Sequence, residues 1–243
     1  MAKRVGTWWI KDGLDERRKE AQGFGDVLDN LSSFNWTQDR GDSAVLKKDF
    51  VETAGHVEKI DEVDLMYMSS HGNYDPDVAS TWGHAFNVWG GTVRTSDAID
   101  WGKNDLEVFS SHACKLLYHS ASNSVGRWIG AFERLHYMFG FHTVSHSGKD
   151  QEERGEKFAA YAAWHLFFPP GWPFGPSSYT LRAAWKKACC ETEGSSVKWA
   201  YLRANGRPYA GGSWVNTYNE KLETSEPTDP VVERQFYTAK GSC

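Results

Sequence analysis

Twice in this chain an aspartate opens a short apolar run that closes on Ser-Ser-His. The first is Asp64-Leu65-Met66-Tyr67-Met68-Ser69-Ser70-His71, and the second is Asp105-Leu106-Glu107-Val108-Phe109-Ser110-Ser111-His112. Runs this short, apolar and bounded by polar residues, read as buried strands. Val5 to Ile10 is a third such run, and Phe34 to Thr37 and Gly140 to Ser145 are further strand candidates. Between them lie helical patterns. Gly13 to Leu31 carries Leu14, Phe24, Val27 and Leu28 at helical spacing, and Asp42 or Ser43 caps a second helix from Ala44 to about Ala54. Trp128 to Phe139 is amphipathic, Glu152 to Phe168 runs into Pro169-Pro170, and Ser178 to Cys190 closes the series.

Strands alternating with helices predict an α/β fold, a mainly parallel central sheet with helices on both faces. The stretch from Asn73 to Gly91, rich in Gly, Trp and Asp, reads as a long loop with a short hairpin near Ala85 to Val93. The more polar tail from Val197 is expected to add edge strands or drape over the domain. The organisation predicted is an α/β domain over residues 1–196, with residues 197–243 as a C-terminal extension packed on it.

In an open α/β sheet, chemistry gathers beyond the carboxyl ends of the strands. The two matching runs would deliver His71-Gly72 and His112-Ala113-Cys114 to one edge. A free thiol titrates near pH 8.5, so it needs a neighbouring base or a positive field to become a nucleophile near neutrality. A histidine on the next strand end can take that proton and return it to a leaving group. Gly72 lets a carbonyl approach the backbone, and its N–H with that of Cys114 are the candidate oxyanion donors. Asn73 and Asp75 follow His71 and are candidates to orient it. Tryptophan is abundant, with twelve residues. Most belong to a core, and some near strand ends, Trp9 among them, are candidates for the wall of a substrate groove.

The order of apolar strand, His-Gly, apolar strand, small residue and Cys resembles the caspase-like (clan CD) cysteine peptidases. Leu65 to Gly72 and Leu106 to Cys114 carry the resemblance, which spans roughly residues 5–165. The stretch Arg127-Trp128 to Thr143 is similar to a bacterial domain-of-unknown-function group with a caspase-like core. The resemblance implies a caspase-like α/β/α sandwich, a His71/Cys114 dyad, an acyl-enzyme and no cofactor. It also implies that the position two before the cysteine faces a specificity pocket. His112 stands there where caspases carry Gln, and Ala113 stands where metacaspases carry Asp. His112, Asn73 and Trp9 make up the expected substrate-binding set. The leading expectation is a cysteine hydrolase acting on a peptide or a small amide or ester. The alternatives are an acyl-transfer cyclase or ligase using the same cysteine, and a catalytically silent binding module.

Other classes are disfavoured. The net charge is −5 and no basic block exists, which argues against nucleic acid or an anionic membrane as partner. Arg17, Arg18 and Lys19 sit among Asp15, Glu16 and Glu20 and read as a solvated helix face. No apolar run nears the roughly 20 residues that span a bilayer. The N-terminus lacks a signal-peptide core, and four irregularly placed cysteines do not make a disulfide framework, so a cytoplasmic location is expected. His112, Cys114, His119, His142 and His146 lack the spacing of a zinc site, and no metal is expected. The aromatic run Phe167 to Phe174 is expected to pack, as a lid or at an oligomer contact. Oligomeric state is left open.

Overall fold

The computed structural model describes residues 2–52, 58–74, 84–97, 99–119, 124–163, 178–207, 216–222 and 233–243. Its frame is a seven-stranded sheet built from β1 (Lys3–Trp9), β2 (Phe34–Gly41), β3 (Leu65–Ser69), β7 (Val108–His112), β8 (Tyr137–Phe141), β9 (Lys198–Arg207) and β10 (Glu233–Ser242). The spatial order is β10-β9-β8-β7-β3-β1-β2. The five strands from β2 to β8 run parallel, and β9 and β10 add antiparallel pairs at one side. The tail from Val197 thus contributes two strands of the main sheet. A smaller antiparallel sheet joins β4 (Gly72–Tyr74), β5 (His84–Val88) and β6 (Gly91–Arg94), where the hairpin was expected.

Alternation along the strands divides the core in two. Val5, Tyr67, Val108, Tyr137 and Phe139 face α1 (Glu16–Asp29), α2 (Arg154–Ala162) and α3 (Leu181–Thr192), with Phe24, Phe158 and Trp185 between them. Trp8, Met66, Met68, Phe109 and Met138 face the other way, onto Phe50, Phe86, Trp101 and Trp128. Each layer buries rings of roughly 150–250 Å² apiece, which accounts for the tryptophan-rich composition. All three α-helices among the described residues lie on one face. The other face is covered by the small sheet and 3-10 turns, which corrects the expectation of helices on both.

Three further expectations change. Residues 44–52 form short 3-10 turns at Asp42–Ala44 and Lys47–Asp49 instead of a helix. The helix expected over 128–139 is a 3-10 segment, Ser124–Ala131, followed by β8. Tyr-Met-Phe-Gly-Phe is a fully buried strand between β7 and β9, and short apolar runs of this kind carry no period that tells strand from helix. The strand expected over 140–145 accordingly starts earlier. The aromatic run 167–174, the far end of the helix expected to reach 168, and Asp75 lie outside the described residues. No helix among the described residues is long and apolar enough to cross a membrane.

Helices α1 and α2 cross closely because Gly155 lies against α1. A Cβ there would collide with the Glu20 carbonyl oxygen, so only glycine permits this approach.

Candidate active site

The ladder between β3 and β7 sets the site. It pairs Leu65 with Val108 and Ser69 with His112, residues 43 apart in sequence, whereas the two Ser-Ser-His tripeptides recur 41 apart. The same register carried two residues further puts His71 level with Cys114, not with His112. Ser70 N–H donates to the His112 carbonyl at 3.1 Å and continues the pairing past the strand end. Gly72 then runs against the opposing backbone. A Cβ on Gly72 would lie 2.5 Å from Cys114 O, 2.8 Å from Cys114 N and 2.8 Å from the Ala113 Cβ.

Asn87 N–H donates to the His71 carbonyl at 2.8 Å. In the β4–β5 ladder that makes the neighbouring pair, Gly72 with Phe86, a non-hydrogen-bonded one. The Gly72 N–H therefore points away from β5. Lys115, directly after the cysteine, holds a left-handed φ of 54°. Asp12 and Asp42, beyond the ends of β1 and β2, have φ of 47° and 48°. These are the positive-φ residues other than glycine among the described residues, and all three sit at the carboxyl edge, where backbone strain costs roughly 1–3 kcal/mol each.

Cys114 is partly exposed, and its Sγ donates to the Ser145 carbonyl at 3.3 Å. No hydrogen bond joins it to His71. The His71 side chain is 44% exposed, with Nε2 3.3 Å from Asp12 Oδ2. One Arg17 guanidinium nitrogen stands 2.9 Å from Nδ1 and 2.8 Å from Nε2. Arg17 can donate only to an unprotonated ring nitrogen, and Asp12 can accept only from a protonated one. Together they favour a neutral ring with its proton on Nε2 and its Nδ1 facing Arg17. Burial first, and then the Arg17 charge, push His71 below its ordinary range against the pull of Asp12.

Arg17 comes from the first turn of α1 and is 3% exposed. The expectation that it lies on a solvated face is corrected, as it is for Glu20, which is 1% exposed. Arg18 and Lys19 are exposed as expected. The signal was in the spacing, since 17, 20, 21, 24 and 28 form one helical stripe with Ala21, Phe24 and Leu28. Two charges on an apolar stripe mark inward-facing charge.

Glu20 organises the floor of the site. Its Oε1 accepts from Tyr67 Oη at 2.7 Å and from Arg154 at 3.0 Å, and its Oε2 accepts from Ser69 Oγ at 2.9 Å. His112 Nδ1 lies 2.5 Å from the same Oε2. Burial pushes Glu20 up, but His112, Arg154 and Tyr67 outweigh it and hold the carboxyl at about 2. Arg154 continues to Glu193 at 2.7 Å, and Glu193 takes His146 Nδ1 at 3.0 Å.

His112 was expected to face a specificity pocket. It is instead 2% exposed, with its ring edge-on to Phe141 and its Nδ1 committed to Glu20. Trp9, expected to line a substrate groove, is 8% exposed and packs over Gly41 in the helix-side core. Asn73 is exposed on β4. The histidines weighed against a zinc site are dispersed, with His112 on Glu20, His142 accepting from the His119 N–H, and His146 on Glu193. Among the described residues no group of three His, Cys, Asp or Glu side chains is arranged to hold a metal ion. From Ser145 the chain leads to a polar groove of roughly 450 Å³ between residues 149–153 and 191–194.

The structure thus brings His71, Gly72 and Cys114 to one edge, adds Arg17 and Asp12 to them, and withdraws His112 and Trp9 into the interior. No curated protein matches the chain. The sequence profile of one family matches residues 4–239, nearly the whole length, and the chain belongs to that family, the domain of unknown function DUF6345.

Proposed function

We propose that this edge is the active site of a cysteine hydrolase of caspase-like architecture. In this reading Cys114 is the nucleophile, His71 carries the proton, and the Gly72 and Cys114 N–H groups receive the oxyanion. The observation that carries the reading is the register of β3 and β7, which levels His71 with Cys114 at the carboxyl edge of parallel strands. Gly72 in backbone contact with Cys114, its N–H turned out of the β4–β5 ladder, supports the oxyanion assignment. A partly exposed thiol and a half-exposed imidazole suit a ligand that arrives from solvent.

The thiol proton passes to His71 as sulfur attacks an amide or ester carbonyl. The leaving amine or alcohol takes that proton, and water then cleaves the thioester by the reverse transfer. The present hydrogen bond from Cys114 to Ser145 is a resting arrangement, since catalytic contacts of this kind often tighten only when substrate is bound.

Labelling with a thiol-directed acyloxymethyl ketone, followed by peptide mass mapping, tests the assignment. Modification is expected on Cys114 of the parent, absent in Cys114→Ala and strongly reduced in Gly72→Ala. Equal labelling of Cys114→Ala would sink it. Exposure to a mixed peptide pool then distinguishes hydrolysed fragments from products lighter by one water, the latter pointing to acyl transfer.

A further inference from the structure

Past the end of β8 the chain turns alongside the cysteine and is pinned at most of its residues. The Thr143 carbonyl accepts from the Lys115 N–H at 2.9 Å, and Thr143 Oγ1 accepts from the Lys198 N–H at 2.9 Å. The His146 N–H donates to Glu193 Oε1 at 2.9 Å, and its Nδ1 lies 3.0 Å from Oε2. Ser147 Oγ accepts from Arg17 Nε at 3.4 Å. Ser145 stands between these anchors, 5% exposed, and both its carbonyl and its hydroxyl face Cys114.

The two contacts cannot be alike. Cys114 Sγ lies 3.3 Å from the Ser145 carbonyl oxygen and 3.7 Å from Ser145 Oγ. A thiol has one proton to give, and a carbonyl can only accept, so that proton goes to the carbonyl. The hydroxyl is then the donor of the second contact, with sulfur as its acceptor. Among the described residues Ser145 Oγ has no other hydrogen-bond partner. The two groups therefore act on opposite forms of the cysteine. The carbonyl favours the neutral thiol, because a thiolate has no proton to offer it. The hydroxyl favours the thiolate, because a donor bonds more strongly to a charged acceptor.

We propose that Ser145 is a positioning residue for Cys114, its carbonyl holding the thiol at rest and its hydroxyl holding the sulfur once the proton has left. The inference rests on Cys114 being the nucleophile of the proposed function. The S–H bond breaks with its electron pair left on sulfur, and the proton passes to the neutral His71 ring. The Ser145 O–H bond stays whole throughout: it donates a hydrogen bond and transfers nothing. The sulfur thus turns from one group of a single residue to the other, and the anchored segment 143–147 fixes the point about which it turns. The charged and titratable groups around this contact are His71 from the end of β3 with its neighbours Arg17 and Asp12, Lys115 next to the cysteine, and His146 with Glu193 beyond Ser145.

Iodoacetamide alkylation of Cys114 in the full chain, followed by mass spectrometry near pH 6.5 and near pH 9.5, reads the hydroxyl. Ser145→Ala keeps the carbonyl and removes the hydroxyl alone. It is expected to slow alkylation about tenfold at the lower pH, the effect of losing one hydrogen bond to a charged group. At the higher pH it is expected to come within about twofold of the parent, because solvent base there supplies the thiolate. The carbonyl is read without any change at Ser145, in the infrared S–H stretch of Cys114 isolated by difference against Cys114→Ala. A band lowered by a hydrogen bond is expected.

A Ser145→Ala protein that alkylates like the parent near pH 6.5 overturns the proposal. So does one slowed by the same factor at both pH values, which is the mark of a displaced backbone, and so does an S–H band at the position of an unbonded thiol. Should Ser145→Ala lose the circular dichroism of the parent, that band alone decides. The two readings separate cleanly. Slowing of Ser145→Ala confined to low pH, beside a parent that never takes the acyl probe, upholds Ser145 and removes the hydrolase. An unchanged Ser145→Ala beside a labelled parent does the reverse.

Discussion

At the end of β3, Ser69-Ser70-His71 runs past the ladder, and its imidazole is left 44% exposed beside Arg17. At the end of β7, Ser110-Ser111-His112 stays inside the ladder, and its imidazole is 2% exposed against Glu20. The tripeptides are identical, and a two-residue offset in register separates them. A slip of two keeps each side chain on its own face of the sheet. It therefore changes depth along the strand without changing direction. The histidine that stops short becomes part of the floor, and the one that overshoots becomes a group open to solvent beside Arg17 and Asp12. Local sequence chose the residue type, and pairing with the neighbouring strand chose its chemistry.

The sharpest way to break this contrast is to take the carboxylate from the buried histidine. Glu20→Ala would leave His112, Tyr67 and Ser69 without their shared acceptor and Arg154 with Glu193 alone. Losing one member of a buried charged cluster is expected to destabilise the fold by about 3–5 kcal/mol in urea denaturation. A loss below about 1 kcal/mol would mean that His112 is held by packing alone.

Acid sharpens the same point with the parent protein. Glu20 is held at about 2 in the fold against 4.5 when free. Its folded value is depressed, so its contribution is complete above about 4.5 and is lost as pH falls toward about 2. The expected loss over that window is about 3 kcal/mol, and Glu20→Gln should flatten the acid limb of stability against pH. An acid limb of the same slope in both proteins would assign it to other carboxylates.

The smallest of the three effects concerns the solvent-facing end. Gly72→Ala places a methyl 2.5 Å from the Cys114 carbonyl oxygen and 2.8 Å from the Ala113 Cβ. Backbone lies on the far side of that contact, so the strand ends must part. A cost of about 1–3 kcal/mol is expected in thermal or urea unfolding, accompanied by loss of acyl-probe labelling. A variant that keeps full labelling would show that the oxyanion position lies elsewhere.

The sheet was legible because β1, β3 and β7 each carry a short apolar stretch closed by polar residues, Leu65 to Met68 being the longest without a break. The meeting of His71-Gly72 with Ala113-Cys114 followed from strand ends alone. The partners did not. Arg17 and Glu20 sit in a run of six charges, and charge reads as surface unless the helical stripe through Ala21, Phe24 and Leu28 is followed through it. Asp12 reaches His71 from a left-handed loop position that carries no local motif. His112 could not be placed without the register, because depth along a strand is a property of the pair. Tyr137 to Phe141 has no period of its own, and its neighbours β7 and β9 decide that it is a strand.

The absent side chain at Gly155 has a consequence for how damage would travel. The two helices touch there through main chain, so no flexible side chain cushions the crossing. Any substituent at 155 acts as a wedge whose tip is the carbonyl of the residue that anchors His112, and the displaced turn begins at Arg154. A lesion at that crossing would thus reach His112 through its carboxylate, felt at the sheet edge as lost alignment in a protein whose His71 and Cys114 are both still present.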